Sequence, residues 1–139
     1  MRYEEFFWKN LKKGDKLYCF SPDFFKIDEH ILDKQKIYQV KNMSLSTEQV
    51  NRVGFYNRLI NTAIWLNNGW KPNWSDSEER KYFINYNTET NTYFADYTTT
   101  NVNCCAYFKT EELCQSAIEI MGEFYLDRLF NVLDYKIQK

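Results

Sequence analysis

From Ser46 to Gly69 the chain carries the signals of one bounded helix. Ser46-Thr47-Glu48-Gln49 is a capping box: the Ser46 hydroxyl takes an N–H of the first turn, and Gln49 reaches back from the third helical position. Val50, Val53, Tyr56, Ile60, Ala63 and Ile64 then recur at helical spacing, with Asn51, Arg52, Arg58 and Asn61 outside that stripe. The stripe is expected to be the buried one. Gly54 weakens the helix by roughly 1 kcal/mol relative to alanine. Asn68-Gly69 supplies the stop, and Pro72 follows just beyond it. A helix this long must lay its apolar face on something, so the segments before and after it have to provide a sheet, other helices, or both.

Residues 3–11 spell a short helix, with Tyr3, Phe6, Phe7 and Leu11 on one side. Lys13-Gly14-Asp15 is a turn, residues 16–20 a strand, and Ser21-Pro22-Asp23 a second turn. Residues 24–32 and 37–40 supply two further strands around the turn at 33–35. This succession suits a small, curled antiparallel sheet of SH3-like type over residues 1–45. After the helix, residues 81–86 and 93–97 alternate as paired strands around a polar loop, and residues 104–108 are expected to add a third strand. Thr110 caps a final helical region with Glu111 and Glu112 in its first turn. There Leu113, Ala117, Ile120, Met121 and Phe124 form the expected buried stripe. Gly122 either kinks that helix or splits it, and Leu126, Leu129, Phe130 and Leu133 continue the spacing.

The expected architecture is α+β: an N-terminal helix and small SH3-like sheet, then a helix, a three-stranded antiparallel meander and C-terminal helices. At 139 residues the chain is expected to form a single domain, 1–139, with a possible seam between a β-rich part (1–45) and an αβββα part (46–139). Eleven Tyr, eleven Phe and four Trp make 19% of the chain aromatic, so the core should be ring-packed, and rings left outside should favour interfaces. A net charge of −1 lacks the basic surplus by which nucleic-acid binders are usually held. No apolar run approaches the ~18 residues of a membrane span, and the N-terminus lacks a signal peptide's apolar segment, so the cytoplasm is the expected compartment. Cys19, Cys104, Cys105 and Cys114 are then expected to be reduced.

Catalytic chemistry finds little to work with. His30 is the only histidine, so any Ser-His or Cys-His arrangement would have to be built on it, and its acidic-apolar strand context suits a surface or edge position better. The cysteines lack paired zinc spacing, and on a strand Cys104 and Cys105 would point to opposite faces. With four glycines there is no phosphate-cradling loop. The expectation is no catalytic residue, no metal and no cofactor.

What remains is aromatic and basic. Trp70 is expected to be structural, folding back over the helix with Pro72 setting the turn. Trp74 has two readings: it covers the sheet, or it forms an exposed patch with Lys71, Arg80 and Lys81 that stacks a base or anchors a protein. The tyrosines divide the same way. Tyr82 and Tyr86 share one strand face, as do Tyr93 and Tyr97; these sets form either an exposed recognition strip or a helix-facing layer.

Two segments carry a resemblance. Trp65-Leu66-Asn67-Asn68-Gly69-Trp70-Lys71-Pro72-Asn73-Trp74, followed by Lys81-Tyr82-Phe83-Ile84-Asn85-Tyr86, is one. Tyr107-Phe108-Lys109-Thr110-Glu111-Glu112-Leu113, with Ala117-Ile118-Glu119-Ile120-Met121-Gly122-Glu123, is the other. Both are similar to C-terminal parts of small, mostly uncharacterised bacteriophage and prophage accessory proteins. Cys114 and Ser116 stand where alanine and lysine are usual in that helix. The resemblance covers residues 65–124 and consists of packing and capping residues. It implies a phage or prophage accessory protein in the bacterial host cytoplasm that binds and inhibits a host protein, such as a CRISPR or other defence nuclease, in the anti-CRISPR manner. Two alternatives stay open: a nucleotide- or nucleic-acid-binding module using the N-terminal small barrel and the Trp74/Lys71/Arg80 patch, and a phage structural or assembly protein.

Overall fold

The computed structural model describes residues 12, 14–20, 27–31 and 46–137. It is an α+β chain that divides into two compact units, Met1–Gly54 and Phe55–Lys139. The expected helix at 3–11 and strand at 37–40, and with them the SH3-like closure, lie outside the described residues.

In the first unit, β1 (Lys16–Phe20) pairs antiparallel with β2 (Ile27–Ile31), in register from Lys16 opposite Ile31 to Phe20 opposite Ile27. The turn before β1 closes on itself: Asp15 Oδ2 accepts from the Lys12 N–H at 2.8 Å, and Gly14 takes φ +95°, where a side chain would be strained. His30 lies in β2 opposite Leu17.

Helix α1 (Thr47–Asn67) starts in the first unit and continues into the second. Its start follows the capping reading, with Ser46 Oγ accepting from the Gln49 N–H at 3.1 Å. Its end does too: Asn68 and Gly69 both take positive φ, and the Trp70 N–H returns to the Asn67 carbonyl at 3.0 Å. Of the expected stripe Val50 and Ala63 are buried, but Val53, Tyr56, Ile60 and Ile64 are exposed; Leu59 and Thr62 are buried and Phe55 and Leu66 are packed against the core in their place. The helix carries apolar residues on two faces, and the packing partners of the sheet and later helices select between them.

Strands β3 (Lys81–Asn87) and β4 (Thr92–Thr98) form the hairpin of the second unit, from Lys81 opposite Thr98 to Asn87 opposite Thr92. Asn87 Oδ1 accepts from Glu89 and Thr90 in the connecting loop. Among the described residues no third strand joins this hairpin. Phe108 makes a single bridge to Tyr82, with N–H···O distances of 3.0 and 2.8 Å. Side chains take the neighbouring backbone groups. Tyr107 Oη accepts the Asn103 and Cys104 N–H groups, and the Asn67 amide holds the Tyr107 carbonyl at 2.7 Å and the Lys109 N–H at 3.0 Å. Groups satisfied this way no longer need a ladder.

Thr110 caps α2 (Glu111–Met121) by accepting from the Leu113 N–H at 3.2 Å. Gly122, at φ +75°, resolves the region into two helices: α3 (Glu123–Leu129) begins on its far side, and α4 (Leu133–Ile137) follows. Ile120 and, in α3, Phe124 are exposed, but the expected stripe holds at Leu113, Ala117 and Met121, which are buried or packed on the core, and Cys114 joins them. These residues meet Leu59, Ala63, Ile84, Ala106, Phe108, Leu126 and Leu129 in one core.

Candidate functional site

Strand register decides the tyrosines first. Tyr82 lies opposite Tyr97 and Tyr86 opposite Tyr93, so all four share one face with Ile84 and Ala95. Ile84 is in the core, and Tyr82, Tyr93 and Ala95 pack against it. That is the helix-facing layer. Tyr86 and Tyr93 meet at 4.8 Å between centroids, and the Tyr93 ring also meets Phe130 edge-on. Their polar ends are used internally. Tyr86 Oη donates to Asn91 Oδ1 at 3.1 Å and Tyr93 Oη to Asp127 Oδ1 at 2.7 Å. Lys136 of α4 closes this cluster, 2.7 Å from Asp127 and 2.5 Å from Glu123, with its ammonium 5.6 Å from each ring centroid. Burial and the Asp127 carboxylate hold the Tyr93 hydroxyl firmly protonated.

Of the four basic-patch candidates, Lys81 is withdrawn from the surface. Its side chain is 0% exposed. The ammonium donates to the carbonyls of Asp76 at 3.0 Å, Glu79 at 2.9 Å and Thr99 at 3.2 Å, and Glu79 Oε1 lies 3.4 Å away. Trp74 covers it, with its ring 5.1 Å from Nζ, and stands edge-on to Tyr107 at 5.1 Å. The loop 73–79 is therefore wrapped around an internal cation. Glu79 braces the same loop by accepting the Asn73 N–H at 2.8 Å. Trp74 remains 38% exposed, and Lys71 is exposed.

Arg80 points outward at the outer end of the tyrosine layer. Its guanidinium lies 4.6 Å over the Tyr97 ring, and the neighbouring Tyr82 and Tyr97 hydroxyls, Tyr82 most, raise its pKa above the ordinary value. Tyr97 is 48% exposed beside it. Arg80 and Tyr82 also line a groove of about 370 Å³ with Trp70 and Lys109. The carboxylates of Glu79, Glu111 and Glu112 line it as well. Its own backbone N–H and the Thr110 hydroxyl hold the Glu112 carboxyl below the usual carboxylate range. With two cations and three carboxylates, the groove is a poor cradle for a phosphate, which needs a positive surplus.

A second surface arises from α1, where sequence reasoning expected core. Ile60 and Ile64 continue from Tyr56 along one line, with Trp65 on its flank and Asn57 and Asn61 between. Ile64 is 61% exposed and Trp65 80%. The signal that could have revealed this face was the competing spacing of Phe55, Leu59, Thr62 and Leu66 on the opposite side of the same helix.

Among the described residues, no group of three or more His, Cys, Asp or Glu side chains is placed to hold a metal ion, and no helix is long and apolar enough to cross a membrane. No family model, curated protein or solved structure matches the chain.

Proposed function

We propose that this chain is a phage or prophage accessory protein that binds a host protein in the bacterial cytoplasm without catalysis and inhibits it stoichiometrically, its target being a defence nuclease of the CRISPR type. The observation that carries the binding part is the outward face of α1. Tyr56, Ile60, Ile64 and Trp65 are exposed on a helix whose opposite side already serves the core. Exposed apolar residues along one line of a helix, with a tryptophan on its flank, match the composition of protein-interface anchors. Arg80 on the Tyr97 ring adds a second anchor of the residue types that dominate such interfaces. The phage setting rests on the resemblance over residues 65–124. The mixed charge of the groove beside Arg80 weighs against the nucleotide-binding alternative.

The test is phage plating on a bacterial strain with an active CRISPR nuclease. Expression of the wild-type chain should restore plaques. The double variant Ile64→Glu/Trp65→Ala, checked for native circular dichroism, should lose that effect. Failure of the wild-type chain to protect phage against any of a panel of nuclease types would overturn the inhibitor reading. Full protection by the folded double variant would remove the α1 face from it.

A further inference from the structure

The flank of α1 away from Tyr56, Ile60 and Ile64 meets α3 in an alternation of rings and guanidiniums. Phe55 stands edge-on to Tyr125 at 5.2 Å between centroids, and Tyr125 edge-on to Phe124 at 5.1 Å. The Arg58 guanidinium lies 4.0 Å over the Tyr125 ring, and that of Arg128 lies 3.5 Å over the Phe124 ring. All five residues belong to the second unit. Arg58 is exposed and Phe124 is 58% exposed. Trp65, 80% exposed, follows Arg58 two turns further along the same flank.

The two guanidiniums keep their charge for something else. Among the described residues neither Arg58 nor Arg128 forms an ion pair, and one Arg128 N–H goes to the Phe124 carbonyl at 2.8 Å. The two carboxylates of α3, Glu123 and Asp127, are both taken by Lys136. On α1 no acid follows Glu48. A net charge of −1 for the whole chain therefore conceals two unpaired cations on this flank, the surplus that the groove beside Arg80 lacks.

Guanidiniums backed by rings present positive edges and flat faces side by side. A carboxylate-bearing peptide would satisfy the cations and leave the planes without a counterpart, and a duplex hides its base faces inside its own stack. A single strand alternates phosphates with exposed planar bases, which matches both features. We propose that this flank binds single-stranded nucleic acid, with Arg58 and Arg128 on phosphates and Phe124 and Trp65 stacking bases. Such a surface reads no particular sequence, because every base has a π-face. It takes a different ligand from the host protein proposed above and does not rest on that reading.

The experiment is fluorescence anisotropy of a fluorescein-labelled oligothymidylate of about twelve nucleotides, titrated with the full-length protein from about 20 to 200 mM KCl. Two phosphate contacts predict a log–log salt slope of about −1.4, at about 0.7 for each contact on a single strand. Arg58→Gln and Arg128→Gln should each reduce that slope by about 0.7. Arg58→Lys should keep the slope and weaken binding, since the charge stays and the plane is lost. Phe124→Leu should weaken binding roughly 5- to 150-fold at unchanged slope. Circular dichroism on each variant separates loss of the surface from loss of the fold. A wild-type chain that leaves the oligonucleotide unbound at the lowest salt overturns the proposal, as do folded Arg58→Gln and Arg128→Gln proteins with the wild-type slope. An oligoglutamate peptide that displaces the labelled strand as well as unlabelled oligothymidylate does would also overturn it, and would assign the flank to an acidic protein segment.

Discussion

Replacing Lys81 with methionine keeps the length of the side chain and most of its packing while removing the charge and all three donors. In the wild type those donors reach the carbonyls of Asp76, Glu79 and Thr99 at 2.9–3.2 Å. Hydrogen bonds from a charged group contribute about 1.5–3 kcal/mol each, so three of them set a gross loss of about 5–9 kcal/mol. Against this stands the desolvation of the ammonium, which costs several kcal/mol and disappears in the variant. Water can also reach part of what is left, because the 73–78 loop is exposed and Glu79 retains a quarter of its side-chain exposure. The net destabilisation should be about 2–4 kcal/mol, or roughly 10–15 °C in Tm for a cooperative unit of this size. Urea denaturation followed by tryptophan fluorescence measures it, since Trp74 lies on the Lys81 ammonium. Glu79→Gln, which keeps an oxygen for the Asn73 N–H, should cost under about 1 kcal/mol. A Lys81→Met protein within about 0.5 kcal/mol of wild type would refute the internal-staple account. Lost partner binding at unchanged stability would return Lys81 to the binding surface.

Two further perturbations probe the same unit. Asn67→Ala removes both amide contacts that hold residues 107–109 to the end of α1, and should lower stability by about 1–3 kcal/mol with the urea m-value unchanged. Tyr93→Phe removes the 2.7 Å bond to Asp127, and should cost about 1–3 kcal/mol at neutral pH. It should also change the alkaline limb. The Tyr93 pKa is raised in the folded state, so its contribution is complete below the ordinary value of 10.0 and is lost as pH rises above it. Stability measured from pH 9 upward should therefore fall more steeply in wild type than in Tyr93→Phe, and parallel curves would contradict the assignment.

The candidate site was legible only in part. Arg80 and Trp74 were marked by residue type, and both do present surface. Lys81 carried the same mark, yet three carbonyls from a loop and a strand end enclose it, and nothing local announces that enclosure. The tyrosines were correctly grouped by strand alternation, but alternation says which residues share a face and not what covers that face. Cys104 and Cys105 were assigned by the geometry of a strand that does not form, because Tyr107 and Asn67 occupy the backbone groups a third strand would have used.

Local chemistry settled the punctuation of this chain. The Ser46 and Thr110 caps, the Asn68-Gly69 stop, the Gly14 turn and the break at Gly122 all sit where short-range sterics and single hydrogen bonds place them. The register of β3 against β4 follows from the same local logic, since a polar hairpin loop separates two alternating strands. Which of the apolar residues flanking Val50 and Ala63 on α1, and Ala117 and Met121 on α2, are buried was decided only by tertiary packing. Both helices carry apolar residues around more than one arc, and the free energy of burial depends on what lies opposite. Leu59 and Ala63 found Phe108, Ala117 and Leu126 in the shared core, and Ile60, Ile64 and Trp65 were left outside it.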